Sequence, residues 1–567
     1  AEDGATFAAG ASADSPKPPN PRGAEFRWKD MTADERRDFE QADLKEWQAT
    51  LPTGAVRVLS REEPRAVRRR HPGRILSSRM VRRKKPVEGV GKKPVAKSRW
   101  CAHGHQDPDG ESLRVYAPTP QTESAVATLQ AIVSHGWALN IADAKNAFCP
   151  SEKLKRPSGA IFVEPCQGLP LSADQLIELV APVYGLNDAP LLWHRTLTEY
   201  LATLGFQKSM LEPCLWLKRD RWGALEGLIL IEVDDLIVAG TKEIVPGLRK
   251  SLTSRFHFGK WQESEADYGG RHFKQYGDRM SIDPEKYIRE QLSVLQPQGQ
   301  PSAMPHPTVA DGLMLVKICR YLKATASQRL TVWALDLQSL LFVTASDAGG
   351  PGSAKRGGAQ GARLVLAADS GIRNNARARV SLLSWRSQRL KRVVASTVAA
   401  ETLFLSSAVA EAQWLQVLWR DSVHGDAPRP DWHQVAAPSS VILSRECSLG
   451  EKAEALSVVD AKSAFDTLSR NTAGSRADRR NFVELAVARD SVASIGHSVR
   501  WPPHGRMPAD PLAHADPGKG NLALHDLLRR GALCLVDEGG RINERAALNL
   551  SLKSRSRGAS RKALMDE

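Results

Sequence analysis

Residues 228–240 read LILIEVDDLIVAG, two aliphatic runs that meet at Val-Asp-Asp. The pattern predicts a β-hairpin with Asp234 and Asp235 at its tip and Glu232 two residues before them. Carboxylates are costly inside an apolar hairpin unless something compensates them. Upstream, WALNIADAKNAF (137–148) alternates, so Trp137, Leu139, Ile141 and Asp143 share one face of a strand that ends near Asp143. Three carboxylates drawn together repel one another unless divalent cations neutralise them. Asp143, Asp234 and Asp235 are therefore candidate ligands for two Mg²⁺ ions, an arrangement suited to in-line phosphoryl transfer.

The composition fits an intracellular protein with a polyanionic partner. The 567 residues exceed one compact core, and the charge is 79 − 64 = +15. Basic residues cluster in RAVRRRH (65–71), RRKK (82–85) and KSRSRGASRK (553–562), which points to nucleic acid. Seven cysteines without a CxxC pair argue for reduced thiols. No apolar run is long enough for a membrane helix, and no signal-peptide core is seen. The first residue is not Met, as expected of a piece of a longer polyprotein or of an incomplete gene model. CAHGH (101–105) is the tightest metal-like cluster, but no second ligand pair follows at zinc-site spacing.

Apolar spacing predicts helices over 31–50, 122–135 and from Pro190 to Gly205. Residues 263–300 read as polar with one short helix, PEKYIREQLSVL. A second α/β segment starts near 337, with a strand at SLLFVTASDAGG, a strand pair around 361–385, a helix over 399–420, and a strand-to-helix step at LSVVDAKSAFDTL.

Read in order, KSRWCAHGHQ (97–106), YAPTPQTES (116–124), IADAKNAF (141–148), IFVEPCQGLP (161–170), VYGLNDAPLLWH (183–194), LGFQKSMLEPCLWLK (204–218) and EVDDLIVAG (232–240) resemble successive motifs of copia-type (Pseudoviridae-like) retrotransposon Pol polyproteins. The resemblance spans about residues 28–525 and covers that family's reverse transcriptase and ribonuclease H regions. It implies that Asp143, Asp234 and Asp235 hold the polymerase metals, and that Lys97 and Arg99 grip the nucleotide triphosphate. It implies further that Phe148 excludes a ribose 2′-hydroxyl and that Tyr184 and Gly185 line the nucleotide pocket. Two departures stand out. Asn187-Asp188 replaces the family's Lys-Gln, and Glu232 replaces its Tyr, adding a fourth negative charge on the side of Asp234.

In the second half, TASDAGG (344–350), the run from Leu382 to Leu415, VVDAKSAF (458–465) and GRMPADPLAH (505–514) resemble the family's ribonuclease H motifs. They imply a two-metal site at Asp347, Glu401, Asp460 and Asp510. Independently, Glu401 falls on one helical stripe with Leu405, Ala408, Ala412 and Leu415, a buried position that calls for a partner.

The expected fold is an α+β right-hand polymerase, with fingers, palm and a truncated thumb, followed by an α/β ribonuclease H-like domain. The expected boundaries are a disordered segment (1–27), fingers and palm (28–300), a shortened thumb or connection (301–336), the ribonuclease H-like domain (337–525) and a basic tail (526–567). The implied partners are RNA template, DNA primer, RNA–DNA hybrid and dNTPs, with other element-encoded proteins, and no membrane. The cofactor is Mg²⁺ or Mn²⁺, two ions per site, and the resemblance implies a cytoplasmic particle or the nucleus. Two alternatives accompany this reading: a decayed copy that binds nucleic acid without polymerising, and an active ribonuclease H joined to a dead polymerase. Only 34 residues separate Tyr287 from Tyr321 (321 − 287), where the family carries a longer stretch, so extension is expected to be distributive.

Overall fold

A computed structural model describes residues 25–60, 62–85, 94–292, 309–349, 359–374, 376–394, 396–425, 455–469, 479–494, 497–502, 506–513 and 522–535. The segment 1–24, residues 293–308 and residues 536–567 lie outside these, the last including the basic run 553–562. The described residues form two compact units. One comprises those up to Ala117 together with Phe148–Thr196; the other comprises Pro118–Ala147, Leu197–Arg289 and those from 309 onward.

In the first unit the helix Ala33–Thr50 starts at a capping box. Glu35 N–H donates to the Thr32 hydroxyl, and Thr32 N–H donates to the Glu35 carboxylate. The helix buries Phe39, Asp43 and Trp47. Trp47 meets Trp100 edge-on at 5.5 Å. Trp100 lies on a two-stranded ribbon, Ser78–Lys85 against Val95–Ala102. Along its second strand Ser98, Trp100 and Ala102 are buried while Lys97 and Arg99 stay exposed, as strand alternation requires. A small sheet completes this unit, in the order Val56–Val58, Ile177–Leu179, Ile161–Val163, Ile75–Leu76.

The second unit contains the hairpin, Leu225–Glu232 paired with Asp235–Gly240. It sits inside a six-stranded sheet with Phe258–Glu263 and Asn140–Ala144 on one side, and Leu215–Arg219 and Gln207–Lys208 on the other. The stretch 263–300, expected to be polar with one short helix, holds that helix at Glu285–Leu292 and before it three strands that were not expected: Glu265–Tyr268, Arg271–Gln275 and Arg279–Asp283. Their apolar face is thin, essentially Ala266, Tyr268, Phe273, Met280 and Ile282. The strand that completes their sheet, Leu330–Trp333, comes 47 residues later (330 − 283). Local alternation carries too little signal for such strands; the pairing is settled by distant residues.

A mixed six-stranded sheet follows. Leu341–Ala348, Gln360–Ala368 and Ala378–Arg389 form an antiparallel meander; Ala455–Val459 runs parallel to the first strand, and His497–Arg500 parallel to it in turn. The helix Thr397–Trp419, capped by Ser396, buries Glu401, Leu405, Ala408, Ala412 and Leu415, the stripe read from the sequence. One hydrophobic core crosses this unit, while Leu341, Val343, Leu364, Leu366, Leu456 and Val458 of the mixed sheet belong to a second, separate core. The first joins Leu129 and Ile132 of the helix Thr122–Ser134 to Ile141, Leu230 and Ile237 under the hairpin, and to Phe342, Val365, Leu415 and Trp419 of the mixed sheet and its helix.

Candidate active sites

In the mixed sheet, Asp347 is near the end of its strand, Asp460 directly follows Ala455–Val459, and Glu401 lies in the first turns of the long helix. A strand end, a parallel strand end and a crossing helix are thus what bring the three together. They offer carboxylate oxygens that all lie within 4.8 Å of one another. Among the described residues no other set of three acidic, histidine or cysteine side chains does so. Asp347 is 2% exposed and Glu401 5%. Glu401 is held in place by Ala348 N–H, which donates to Oε1 at 3.1 Å. Burial, then the Asp347 and Asp460 charges, push its carboxyl up to about 10. A buried trio under such repulsion fits divalent cations: they would relieve it, and all three residues offer hard oxygen ligands. Asp510, the fourth residue named from the sequence, begins the helix Asp510–Ala513 and is not part of the trio.

The hairpin is arranged differently. Glu232 pairs with Asp235 across the ladder, and Asp235 pairs with Asp143 on the next strand. Cross-strand partners share a face, so Glu232, Asp235 and Asp143 form a row. Val233 takes the left-handed conformation, φ +56°, in the turn, and Asp234 follows it, its carbonyl accepting from Ala144 N–H at 2.8 Å. A β-branched residue is strained there, the kind of strain that collects at functional turns. Asp143, Asp234 and Asp235 do not bring three oxygens within the distance that the Asp347 trio achieves. Glu232 neighbours Asp235, rather than pointing with Asp234 as strand alternation implied. The two-residue turn breaks the alternation. Glu232 also faces Tyr268, whose hydroxyl is pushed well above its ordinary range by burial and then by the nearby Glu232 carboxylate. Cys214 is pushed up to about 12 by burial, by Glu212 and by Glu232.

In the first unit the residues assigned to the nucleotide pocket come together. The Arg99 guanidinium lies 4.1 Å over the Tyr184 ring, and Phe148 meets that ring edge-on at 4.9 Å. Lys97 shares the exposed face of Arg99. Gly185 takes φ +95°, and any Cβ there would fall 2.0 Å from the Ala102 carbonyl oxygen, so the turn requires glycine. Asp188 is turned away into the protein, where Arg156 grips it with two hydrogen bonds of 2.7 and 2.9 Å. Sequence reading missed both Arg156 and Tyr268. Arg156 lies in a polar loop, and neither residue carries a motif.

Residues 67–301 match the reverse transcriptase (RNA-dependent DNA polymerase) family. The chain is similar to the retrovirus-related Pol polyproteins from transposons RE2 and RE1 of Arabidopsis thaliana, at 26% identity over 155 residues and 24% over 204, covering 26% and 35% of this chain. It is also similar to that from transposon TNT 1-94 of Nicotiana tabacum, at 22% over 221 residues and 38% of this chain. These matches span only 10%, 13% and 16% of the relatives' own lengths. Among solved structures, the N-terminal RNase H domain of a mycobacterial protein shares 18% identity, covering 31% of this chain and 99% of that one, with a TM-score of 0.20. A foamy viral protease–reverse transcriptase in complex with double-stranded DNA shares 10%, covering 74% and 66%, with a TM-score of 0.38. Both likenesses are too loose to argue from. The family match and the plant relatives agree with the ordered motifs: residues 67–301 match the reverse transcriptase family and resemble that region of copia-type retrotransposon Pol polyproteins.

Proposed function

We propose that the chain is an RNA-directed DNA polymerase joined to a ribonuclease H, acting on RNA template, DNA primer, RNA–DNA hybrid and dNTPs. The observation that carries the hydrolytic half is the buried convergence of Asp347, Glu401 and Asp460. Mg²⁺ or Mn²⁺ held by these three would supply an activated water and stabilise charge on the cleaved phosphate. The protein's own part is positional: the Ala348 amide fixes Glu401 on its helix, and two strand ends fix the aspartates. On the polymerase side, Asp143, Asp234 and Asp235 are assigned as metal ligands. Lys97 and Arg99 bind phosphate, Phe148 and Tyr184 form the wall beneath the sugar, and Gly185 is the close turn. Asp510 is assigned as a fourth, outer carboxylate of the hydrolytic site. Basic residues would follow the nucleic-acid backbone with strong salt dependence.

A second reading, ribonuclease H activity beside an idle polymerase, is favoured by the looser set of carboxylates at the hairpin. Primer extension on poly(rA)/oligo(dT), run beside cleavage of an RNA–DNA hybrid, separates the two. Under the main reading Asp234→Asn abolishes extension and spares cleavage, whereas Glu401→Gln lowers cleavage by about 100-fold or more and spares extension. Cleavage without any extension by the unaltered chain selects the second reading. Unaltered cleavage by Glu401→Gln sinks both.

A further inference from the structure

Beneath the Tyr184 turn lies a buried ionic cluster that no motif announces. Arg156 Nε donates to Asp107 Oδ2 at 2.9 Å, and its two terminal nitrogens donate to the Asp188 carboxylate at 2.7 and 2.9 Å. The three side chains are 2 to 5% exposed. Each carboxylate is tied to one side of a backbone contact. Asp107 N–H donates to the Gly104 carbonyl, and the Asp188 carbonyl accepts from Leu192 N–H at the start of the helix Ala189–Thr203. Between these anchors the two segments touch directly. Ala102 N–H donates to the Tyr184 carbonyl at 2.8 Å and Gly104 N–H to the Gly185 carbonyl at 3.1 Å. They are so close that a Cβ on Gly104 would lie 2.3 Å from the Gly185 oxygen. Arg156 therefore bridges the base of the ribbon that carries Lys97 and Arg99 to the turn that carries Tyr184 and Gly185.

We propose that Arg156 is a positioning residue for the nucleotide pocket, acting through Asp107 and Asp188 to hold the ribbon base and the Tyr184–Gly185 turn in register. The inference rests on the polymerase reading for what the pocket binds. It also accounts for the departure at 188, where the related motif carries an uncharged glutamine. A buried guanidinium needs its full complement of charged acceptors, and glutamine would leave Arg156 with Asp107 alone. Arg156 and Asp188 belong together as a pair; the acidic residue is a tether of the pocket, not a charge within it.

The test uses the full chain and reads the contact itself. Arg156→Met keeps the bulk and removes the bridge. Hydrogen–deuterium exchange at the Ala102 and Gly104 amides is expected to speed up about ten-fold or more, with the Ile161–Val163 and Ile177–Leu179 ladder unchanged as the internal control. In primer extension the KM for dNTP is expected to rise about five-fold or more while kcat stays within about two-fold, the signature of a displaced binding wall. Asp188→Gln, restoring the related motif's residue, is expected to give the same exchange result. Arg156→Lys, which preserves charge but cannot grip both carboxylates, covers the case in which Met prevents folding; it is expected to give a smaller increase at the same two amides. Native exchange at Ala102 and Gly104 in folded Arg156→Lys and Asp188→Gln would overturn the proposal. If the unaltered chain does not extend primers, the polymerase reading fails, and the exchange data still decide what Arg156 does.

Discussion

Glu232 shows how much one side chain's role depends on residues far from it in sequence. Placed beside Val233-Asp234-Asp235 it reads as an extra charge competing for metal. In the folded chain it is the ladder partner of Asp235, and Tyr268, 36 residues on (268 − 232), faces it from the strand Glu265–Tyr268. Glu232 is half-buried, and its charge adds to burial and Glu212 in raising the nearby Cys214 thiol. Removing its charge should then ease repulsion with Asp235 more than it changes cation affinity. Glu232→Gln removes the charge and keeps the size of the side chain. Its thermal midpoint is expected to rise by a few degrees, on the order of 1 kcal/mol, with the Mn²⁺ affinity measured calorimetrically unchanged within about two-fold. A large gain in Mn²⁺ affinity would restore the competing-charge reading. Glu401, by contrast, was legible, because its helical stripe places it among Leu405, Ala408 and Ala412 without reference to any other segment. Asp460 and Asp347 were legible only through motifs. The geometry that joins them to Glu401 depends on a parallel strand pairing more than 100 residues apart in sequence (460 − 347 = 113).

Among elements, the helix Thr122–Ser134 was read correctly in type and extent, yet what it packs against was not. Its last residues and their neighbours meet the far end of the long helix. His135 caps its C-terminus, stacks on Trp137 at 4.2 Å, and is pushed down to about 4 from an ordinary 6.5, by burial first and then by His424 and Arg219. A helix C-terminus favours a cation, but here the loss of hydration beside two other basic groups outweighs it. The folded state thus holds His135 neutral, while the unfolded chain takes up a proton below 6.5. Stability supplied by this residue is full above that value and is lost as the pH falls toward 4. After discounting for partial exposure, the loss is roughly 1–2 kcal/mol. Urea titrations at pH 7 and pH 5 on the unaltered chain and on His135→Phe measure it. The difference between the two pH values should be smaller in the variant, since carboxylate titrations are common to both. Equal pH dependence would show that His135 contributes nothing. The strands of 265–283 were missed for the opposite reason: each is short and mostly polar, and only the remote Leu330–Trp333 completes their sheet.

On the scale of the whole molecule, the sequence suggested a polymerase segment and a ribonuclease H-like segment joined by a shortened connection. Within the second compact unit one core spans hairpin and mixed sheet, beside a separate core on the mixed sheet alone. Leu129, Ile132 and Ile237 share the spanning core with Phe342, Val365, Leu383, Leu415 and Trp419. Polar ties reinforce the seam. Arg219 donates to the carbonyls of Asp421 and Ser422 at 2.6 and 2.9 Å, and the Asp421 carboxylate accepts from the Ser209 hydroxyl and Met210 N–H at 2.6 and 2.9 Å. Gln130 adds a bond to the Trp333 carbonyl at 2.8 Å. Hydrophobic periodicity reports which residues are buried, never what covers them, so this sharing could not be read from sequence. It has a direct consequence. Cutting the chain at residue 328 would bare the faces of five large side chains, each worth about 1.5–3 kcal/mol when buried. The sum is comparable to the entire net stability of a typical domain, about 5–15 kcal/mol. Residues 328–567 expressed alone are therefore expected to be insoluble or to bind ANS and unfold without cooperativity, and to cleave hybrid poorly although Asp347, Glu401 and Asp460 are all present. Co-expression with residues 118–292 should restore solubility. Trp419→Ala in the full chain should weaken both halves of this unit together, seen as one coincident transition by circular dichroism and by loss of hybrid cleavage. A fragment that folds cooperatively and cleaves at the full-chain rate would show that the shared core is a contact between independent domains.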